Sequence, residues 1–333
     1  MSVFVAQFRF RSPVRFGIDP PRSESSEEKV HSDTLFSGLC HSWALLHGKS
    51  GLDALLSQFD ESPPFLLSSG FVFTKDTFFL PKPLSQFPGF EASETGSKIL
   101  DAERVLRAAG FLGFKDFECW AAAERVSLSS FLESQAQYQA SFSPLETPRA
   151  AVSRSDLGFS AFRCSAVQFS DDCGLYVLFR FADDRLAEKT RQSLRFLGEI
   201  GVGGERSFGY GRFELTFEPA DEKWNRLFNQ RGELFLCLSL CHPASIGPDL
   251  LQGASYQLLR RRGRCYSPFA SEQPKRKSVV MFGEGSVFRR QIEGHLVDVT
   301  PSSWDRRELH PIYRYGYALT VPIRRAEPRP IRA

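Results

Sequence analysis

Residues 198–213 read Gly198-Glu199-Ile200-Gly201-Val202-Gly203-Gly204-Glu205-Arg206-Ser207-Phe208-Gly209-Tyr210-Gly211-Arg212-Phe213: six glycines, two arginines, a serine and three aromatics in sixteen residues. Glycine tolerates positive φ and lets the main chain approach a partner with no Cβ in the way. Successive N–H groups in such a loop can form a concave anion site. Gly201, Gly203 and Gly204 are therefore expected to offer N–H groups to phosphates, with Glu205, Arg206, Ser207 and Gly209 completing the loop. Phe208 and Tyr210 present faces on which a base could stack. A phosphate-rich, base-bearing ligand fits that mixture; a simple turn leading into a strand is the other reading of a glycine-rich stretch. A P-loop does not fit, because there is no GxxxxGK[ST], and Gly201-x-Gly203 lacks the later glycine and following helix of a dinucleotide fingerprint. Tyr210, Phe213, Leu215 and Phe217 alternate as a strand does, so the order is helix, loop, strand.

Other residues could extend such a site. His31-Ser32-Asp33-Thr34 opens a helix with Ser32 or Asp33 as N-cap and Leu35, Leu39, Trp43 and Leu46 as its apolar stripe. Its N-terminus, with His31, Ser32 and Thr34, is a candidate phosphate seat, although residue types favour plain capping. Arg15, in Ser12-Pro13-Val14-Arg15-Phe16-Gly17, follows the first strand. Glu146–Arg154 is an extended segment in which Arg149, Ser153 and Arg154 either line a groove or face solvent. Basic clusters at 260–264, 275–277, 289–290 and 306–307, including Arg260 and Lys277, favour a phosphate-binding groove in the C-terminal part. Cys237, Cys241 and His242 match no zinc spacing and sit in an apolar run, so no metal and no cofactor are expected.

The elements that must position these groups follow from periodicity. Phe4, Ala6, Phe8 and Phe10 alternate with Gln7, Arg9 and Arg11 as a half-buried strand. After the helix at 32, strands are expected at 65–73 and 77–84, short helices at 97–108 and 127–139, a hairpin of 159–169 with 174–181, and a helix over 183–198. Residues 85–145 read as an insertion in a first domain spanning 1–218, an elaborated β-α-β-β-α-β unit. A polar linker at 219–232, a strand-rich second domain at 233–323 and a disordered tail at 324–333 complete an α+β chain. Its 333 residues suffice for two cores, in which 32 phenylalanines dominate packing. Net charge is only +3, so it is the clustering of cations that points to a polyanion. Seven cysteines without framework spacing suit a reducing compartment. No leader is visible and no apolar run approaches the roughly 20 residues of a membrane span, so a cytoplasmic protein without a membrane partner is expected.

Five strings in order carry a resemblance to a known family: His31–Leu39, Phe79–Leu84, Gly201–Gly211, Gly283-Glu284-Gly285-Ser286-Val287-Phe288 and His310–Tyr317. Over most of its length the chain resembles the fourth subunit of the Csm complex, the RAMP-superfamily protein of type III-A CRISPR effectors. That resemblance implies tandem ferredoxin-like, RRM-like (RAMP) domains that bind the repeat-derived 5′ tag of the crRNA. It also implies a thumb that enters the guide–target RNA duplex, docking on the large polymerase-domain subunit and the first backbone RAMP subunit, and no catalytic role. On this reading the loop from Gly201 to Tyr210, Arg15, the seat at His31–Thr34, Arg149, Ser153 and Arg154 form one side of an RNA track. Arg260, Lys277, Gly283, Gly285, Ser286 and Tyr315 close it from the second domain. The rival readings are a crRNA-processing endoribonuclease with His31 as general base, and a scaffold that contacts only protein. No lysine or tyrosine partner is recognisable beside His31, and processing nucleases of the superfamily usually carry their glycine loop near the C-terminus.

Overall fold

The computed structural model describes residues 2–17, 26–91, 96–152, 159–266, 273–304 and 310–326. Alternating apolar residues make β1 (Ser2–Phe10), whose Ala6 and Phe8 are fully buried. Val3 and Val5 are buried on the opposite face too, so the strand is covered on both sides at that end. Helix α1 (Ser32–Glu61) follows, bent at Gly48, where φ is 73°. Leu35, Leu39 and Trp43 face the core as the stripe requires, but Leu46, just before the bend, is 43% exposed.

The stretch 65–73 makes two short strands, β2 (Phe65–Leu67) and β3 (Phe71–Phe73). It breaks because Ser69 N–H donates to Leu238 O (2.8 Å) and Gly70 N–H to Val30 O (2.7 Å) instead of to a sheet neighbour. β4 (Phe79–Pro81) precedes the expected insertion, which holds α2 (Gly96–Ala108), β5 (Phe111–Gly113), α3 (Phe114–Ala121) and α4 (Leu128–Ala140), with β4 paired to β5.

β6 (Phe142–Val152) and β7 (Phe159–Phe169) form a hairpin eleven residues long on each side. The expected pairing of 159–169 with 174–181 is thus corrected: β8 (Gly174–Phe181) lies in a different sheet. Seven of its eight residues are buried, and a strand covered on both faces belongs in the centre of a sheet rather than in a protruding hairpin. Helix α5 (Arg185–Ile200) leads through the glycine loop to β9 (Phe213–Pro219). The main sheet has the antiparallel order β2-β8-β1-β9, with β3 also on β8. This is the strand arrangement of a β-α-β-β-α-β unit. α1 and α5 lie side by side close enough that a Cβ at Gly38 would sit 3.2 Å from Leu197.

The expected linker contains α6 (Glu222–Asn229), with Trp224, Leu227 and Phe228 buried at i, i+3, i+4 spacing and Asp221 accepting from Trp224 N–H (3.4 Å). The C-terminal strands are β10 (Leu234–Cys237), then, after the short α7 (Pro248–Leu251), β11 (Leu258–Arg261), β12 (Val279–Phe282), β13 (Val287–Phe288), β14 (Leu296–Asp298), β15 (Tyr313–Tyr315) and β16 (Thr320–Ile323). They form β13-β10-β16, β11-β12 and β14-β15 rather than one four-stranded sheet. One apolar cluster runs from Val3 through Phe36 and Phe65 to Leu236, Tyr315 and Ile323, so the two halves share a core. All seven cysteines are free thiols, and burial pushes Cys237 up to about 12. No described helix is long and apolar enough to cross a membrane.

Candidate nucleic-acid interface

The glycine loop leaves α5 at Gly201 and reaches β9 through a one-turn 3-10 helix, Arg206–Phe208, set between two left-handed residues, Glu205 (φ 59°) and Gly209 (φ 82°). Gly211, at φ 76°, lies so close to Val202 that an added Cβ would be 2.0 Å from its carbonyl oxygen. The loop is therefore a rigid mount. Three of the N–H groups expected in a phosphate nest are already engaged within the protein. Gly201 N–H donates to Leu197 O (2.8 Å), Val202 N–H to Gly211 O (3.0 Å) and Gly204 N–H to Arg15 O (2.8 Å). The glycines serve close backbone packing, and side chains are left to meet a ligand.

Those side chains are well placed. Glu205 bridges Arg15 Nη1 (3.1 Å) and Arg149 Nη1 (2.9 Å). The Arg149 guanidinium lies 3.9 Å above the Phe208 ring and 5.5 Å from that of Tyr210, while Phe208 itself is 67% exposed. Ser207 is exposed beside it. Cation and ring together make a flat platform of the kind on which an unpaired base stacks. On the other side of the loop Arg206 sits 4.6 Å over Tyr266, whose ring meets His41 edge-on at 5.2 Å.

Between the loop, α1 and the C-terminal half opens a cleft of about 600 Å³ lined by Arg15, Thr34, Gly203, Arg206, Tyr266 and Arg276 among others. Cys40, Ala44, Leu45 and Leu52 of α1 form its apolar floor. Arg261 and Arg276, inside the expected clusters at 260–264 and 275–277 but not singled out there, line this cleft, as do Tyr266 and His41, which carried no expectation. Arg260 and Lys277, singled out instead, are the exposed neighbours of these two arginines. Adjacent residues on an extended chain point to opposite faces, so a run of cations cannot show which member turns inward.

The start of α1 clamps the two halves together, and Ser32, expected in a phosphate seat, is turned to that use. Ser32 and Asp33 are fully buried. The cap position is His31, with no side-chain cap bond, which corrects the expected Ser32 or Asp33 cap. Ser32 Oγ instead accepts from Leu240 N–H (3.0 Å), and Ser32 N–H donates to Ser69 Oγ (2.9 Å). Asp33 takes both arms of Arg261 (3.0 Å each) and a bond from Arg314. Burial opposes its charge, but the two guanidiniums outweigh it and hold the carboxyl far below the usual range. Thr34 Oγ1 accepts from Arg261 (3.3 Å) and faces the cleft.

A second buried cluster joins His31 Nδ1 to Glu284 (2.7 Å), His31 Nε2 to Glu27 (3.2 Å) and Lys29 to Glu284 (3.5 Å). Burial opposes protonation of His31, yet Glu284 and the bonds to both carboxylates raise it above the ordinary histidine range. Glu284, likewise opposed by burial, is held well below the carboxylate range by His31 and Lys29. The sign for stability follows from linkage. The imidazolium's contribution is complete below about pH 6.5 and is lost as pH rises through the raised folded-state value. That of Glu284 is present above about pH 4.5 and is lost on acidification. Urea unfolding of the full chain should therefore show a stability decline above about pH 7 that the His31→Gln variant lacks; equal pH profiles would contradict this.

The remaining expected site residues separate by burial. Tyr315 is fully buried and its hydroxyl accepts from Leu67 N–H (3.0 Å); Ser286 is buried and its Oγ accepts from Gln257 N–H (3.3 Å). Gly285 O accepts from Leu84 N–H (3.0 Å), and Gly283 packs against the Gln257 side chain. Tyr315 and Gly285, with His31 and Ser32, hold the two halves together, Ser286 and Gly283 pack within the second half, and none of Gly283, Gly285, Ser286 and Tyr315 lines the cleft. Ser153 and Arg154 lie outside the described residues.

Fold and cleft define a mixed α/β protein whose β-α-β-β-α-β unit carries a basic, aromatic-edged groove against a strand-rich second half. Residues 230–323 match the model of the CRISPR Csm4 C-terminal domain. Over nearly the whole chain the resemblance to the fourth Csm subunit holds. A CRISPR system Cms protein Csm4 of Thermococcus onnurineus is 28% identical over 301 residues, covering 88% of this chain and 90% of the relative. One of Streptococcus thermophilus is 25% identical over 280 residues, 84% of this chain and 87% of the relative. A chain of the crystal structure of a Csm1-Csm4 cassette in complex with pppApA shares the fold at TM-score 0.65 and 19% identity, with 98% of this chain and 100% of that one covered. A chain of the Csm3-Csm4 subcomplex of the type III-A CRISPR-Cas interference complex does so at TM-score 0.64 and 16% identity, with 97% and 99% covered.

Proposed function

We propose that this chain is a non-catalytic RNA-binding subunit of a type III-A CRISPR effector complex that caps the 5′ repeat-derived tag of the crRNA. The observation that carries the reading is the rigid glycine loop presenting Arg206 and the Arg149–Phe208 platform at the rim of a cleft shared by both halves. Single-stranded RNA is read through splayed bases stacked on aromatic and guanidinium planes, which this rim supplies. The first half is then a RAMP-type RRM-like domain and the second its divergent partner. The β6–β7 hairpin, the longest strand pair described, suits the thumb beside the target RNA. The solved relatives named for Csm1 and Csm3 pairings make the large polymerase-domain subunit and the first backbone subunit the proposed protein partners.

The nuclease alternative is disfavoured by geometry. Both ring nitrogens of His31 already contact carboxylates, so although the largely buried ring borders the cleft it has no free nitrogen to take a proton from a 2′-hydroxyl. The test is binding of tag-bearing and scrambled single-stranded RNA to the full chain, alone and with its partner subunits, at two salt concentrations, with cleavage read on the same samples. Arg206→Ala is expected to weaken tag binding by about tenfold or more, the scale of a lost charge-assisted contact. Equal affinity for scrambled RNA would remove the tag-capping role. Metal-independent cleavage that disappears in His31→Ala would replace it with the nuclease.

A further inference from the structure

Strand β11 is the open side of a two-stranded ribbon: among the described strands it pairs with β12 alone. Gly283 N–H donates to Gln257 O (2.9 Å), which makes these two a hydrogen-bonded pair of the antiparallel ladder. Alternation along the ladder then commits the main chain of Leu259 and Arg261 to β12 and turns the N–H and C=O groups of Leu258 and Arg260 outward. Neither Leu258 nor Arg260 has a main-chain bond to another described segment. The side chains divide in the same way. Leu259 packs against the cluster of Val279, Met281 and Val299 inside the second half. Leu258 and Arg260 share the outer face with Val280, which lies opposite Arg260. There Leu258 is 54% and Val280 47% exposed, and Tyr256, its ring edge-on to Phe282 at 5.1 Å, is 40% exposed. An open edge beside an exposed apolar face is a template to which an extended peptide adds as a further strand.

Charge and backbone chemistry select the occupant. A second copy pairing edge to edge would bring Arg260 of both copies onto one face, and like charges across a strand pair repel. RNA would neutralise Arg260 but has no strand-spaced N–H and C=O groups for the edge, and it would leave Leu258 and Val280 without apolar partners. A strand with carboxylate and apolar side chains meets all three needs. We propose that the β11 edge takes an extended, acidic segment of a neighbouring protein subunit as an added strand, with apolar side chains over Leu258 and Val280 and a carboxylate beside Arg260. Arg260 thereby acts twice, against self-association of the exposed edge and for a partner of opposite charge. Leu258, Arg260 and Val280 do not line the cleft, so this docking edge is independent of the tag-capping reading.

The test is amide hydrogen exchange of the full chain at single-residue resolution, alone, with each of the other protein subunits of the effector complex in turn, and with tag RNA. In the free chain the outward amides of Leu258 and Arg260 should exchange fast while those of Leu259 and Met281, inside the ladder, are protected. Adding the partner subunit should slow Leu258 and Arg260 by about tenfold or more. Two variants check the mode of docking. Leu258→Pro removes an outward N–H at the first residue of an edge strand, where proline is tolerated, and should lower affinity for that subunit about tenfold. Arg260→Glu should weaken it by a similar factor, about tenfold, and most at low salt, where charge attraction is least screened. Protection of Leu258 and Arg260 by tag RNA alone, or by self-association of the chain at high concentration, would overturn the acidic-strand occupant. No protection by any protein subunit, or undiminished subunit affinity in folded Leu258→Pro and Arg260→Glu, would overturn the docking edge itself.

Discussion

Asp33→Ala is expected to destabilise the full chain by about 3–5 kcal/mol, the cost typical of breaking a buried ion pair by removing one partner. Asp33 is fully buried, and two guanidiniums from the second half, Arg261 and Arg314, close on it. Removing the carboxylate leaves two cations in a region already crowded by Arg276. The loss should appear in urea unfolding, and it should be smaller in Asp33→Asn, which keeps acceptor capacity for the Arg261 fork. Combining Asp33→Ala with Arg261→Met should recover part of it, because the repulsion is removed with the charge. A loss under about 1 kcal/mol for Asp33→Ala would show that water reaches these arginines and that the clamp is not a closed one.

The second large effect is expected at Gly211. Its φ of 76° costs a non-glycine residue about 1–2 kcal/mol, and a Cβ placed 2.0 Å from Val202 O adds overpacking of about 1–3 kcal/mol. Gly211→Ala should therefore lose about 2–5 kcal/mol or displace the loop from Val202. Either result carries Arg206 and Phe208 away from their present positions, so RNA affinity should fall more than in Arg206→Ala alone. Gly209 is the internal control. It is also left-handed (φ 82°), but a Cβ there would meet no atom within 4 Å, so Gly209→Asn should cost less than about 1 kcal/mol. If the two substitutions proved equal, backbone conformation alone, and not close packing, would explain the glycines.

Much of the architecture was legible because it depends on local periodicity. The α5–loop–β9 order, the helices of the insertion and the strands of the second half follow from spacings of two and 3.6 residues. The errors have a common cause in partners distant along the chain. Residues 159–169 and 174–181 both alternate as strands do, but only the sheet shows that the second belongs between β1 and β2. Ser32, Asp33 and Tyr315 have the residue types of a binding site and are used to join the two halves. Residues 219–232 looked like a linker because the polar residues between them hide Trp224, Leu227 and Phe228, whose spacing was the available signal for α6.

At the site itself, residue types alone established that a glycine-rich loop carries cations and aromatic rings, since glycine's freedom and the rings' chemistry are properties of the residues. Which groups are free for a ligand depended on folding. The loop's N–H groups at Gly201, Val202 and Gly204 are consumed by Leu197, Gly211 and Arg15, so phosphate recognition passes to side chains. In the cationic runs, Arg261 and Arg276 turn inward while Arg260 and Lys277 face solvent. The physical reason is the same in both cases. Hydrogen-bond satisfaction and the choice of face are settled by partners up to 281 residues away, as with Arg314 and Asp33, and no window of sequence contains both members of such a pair.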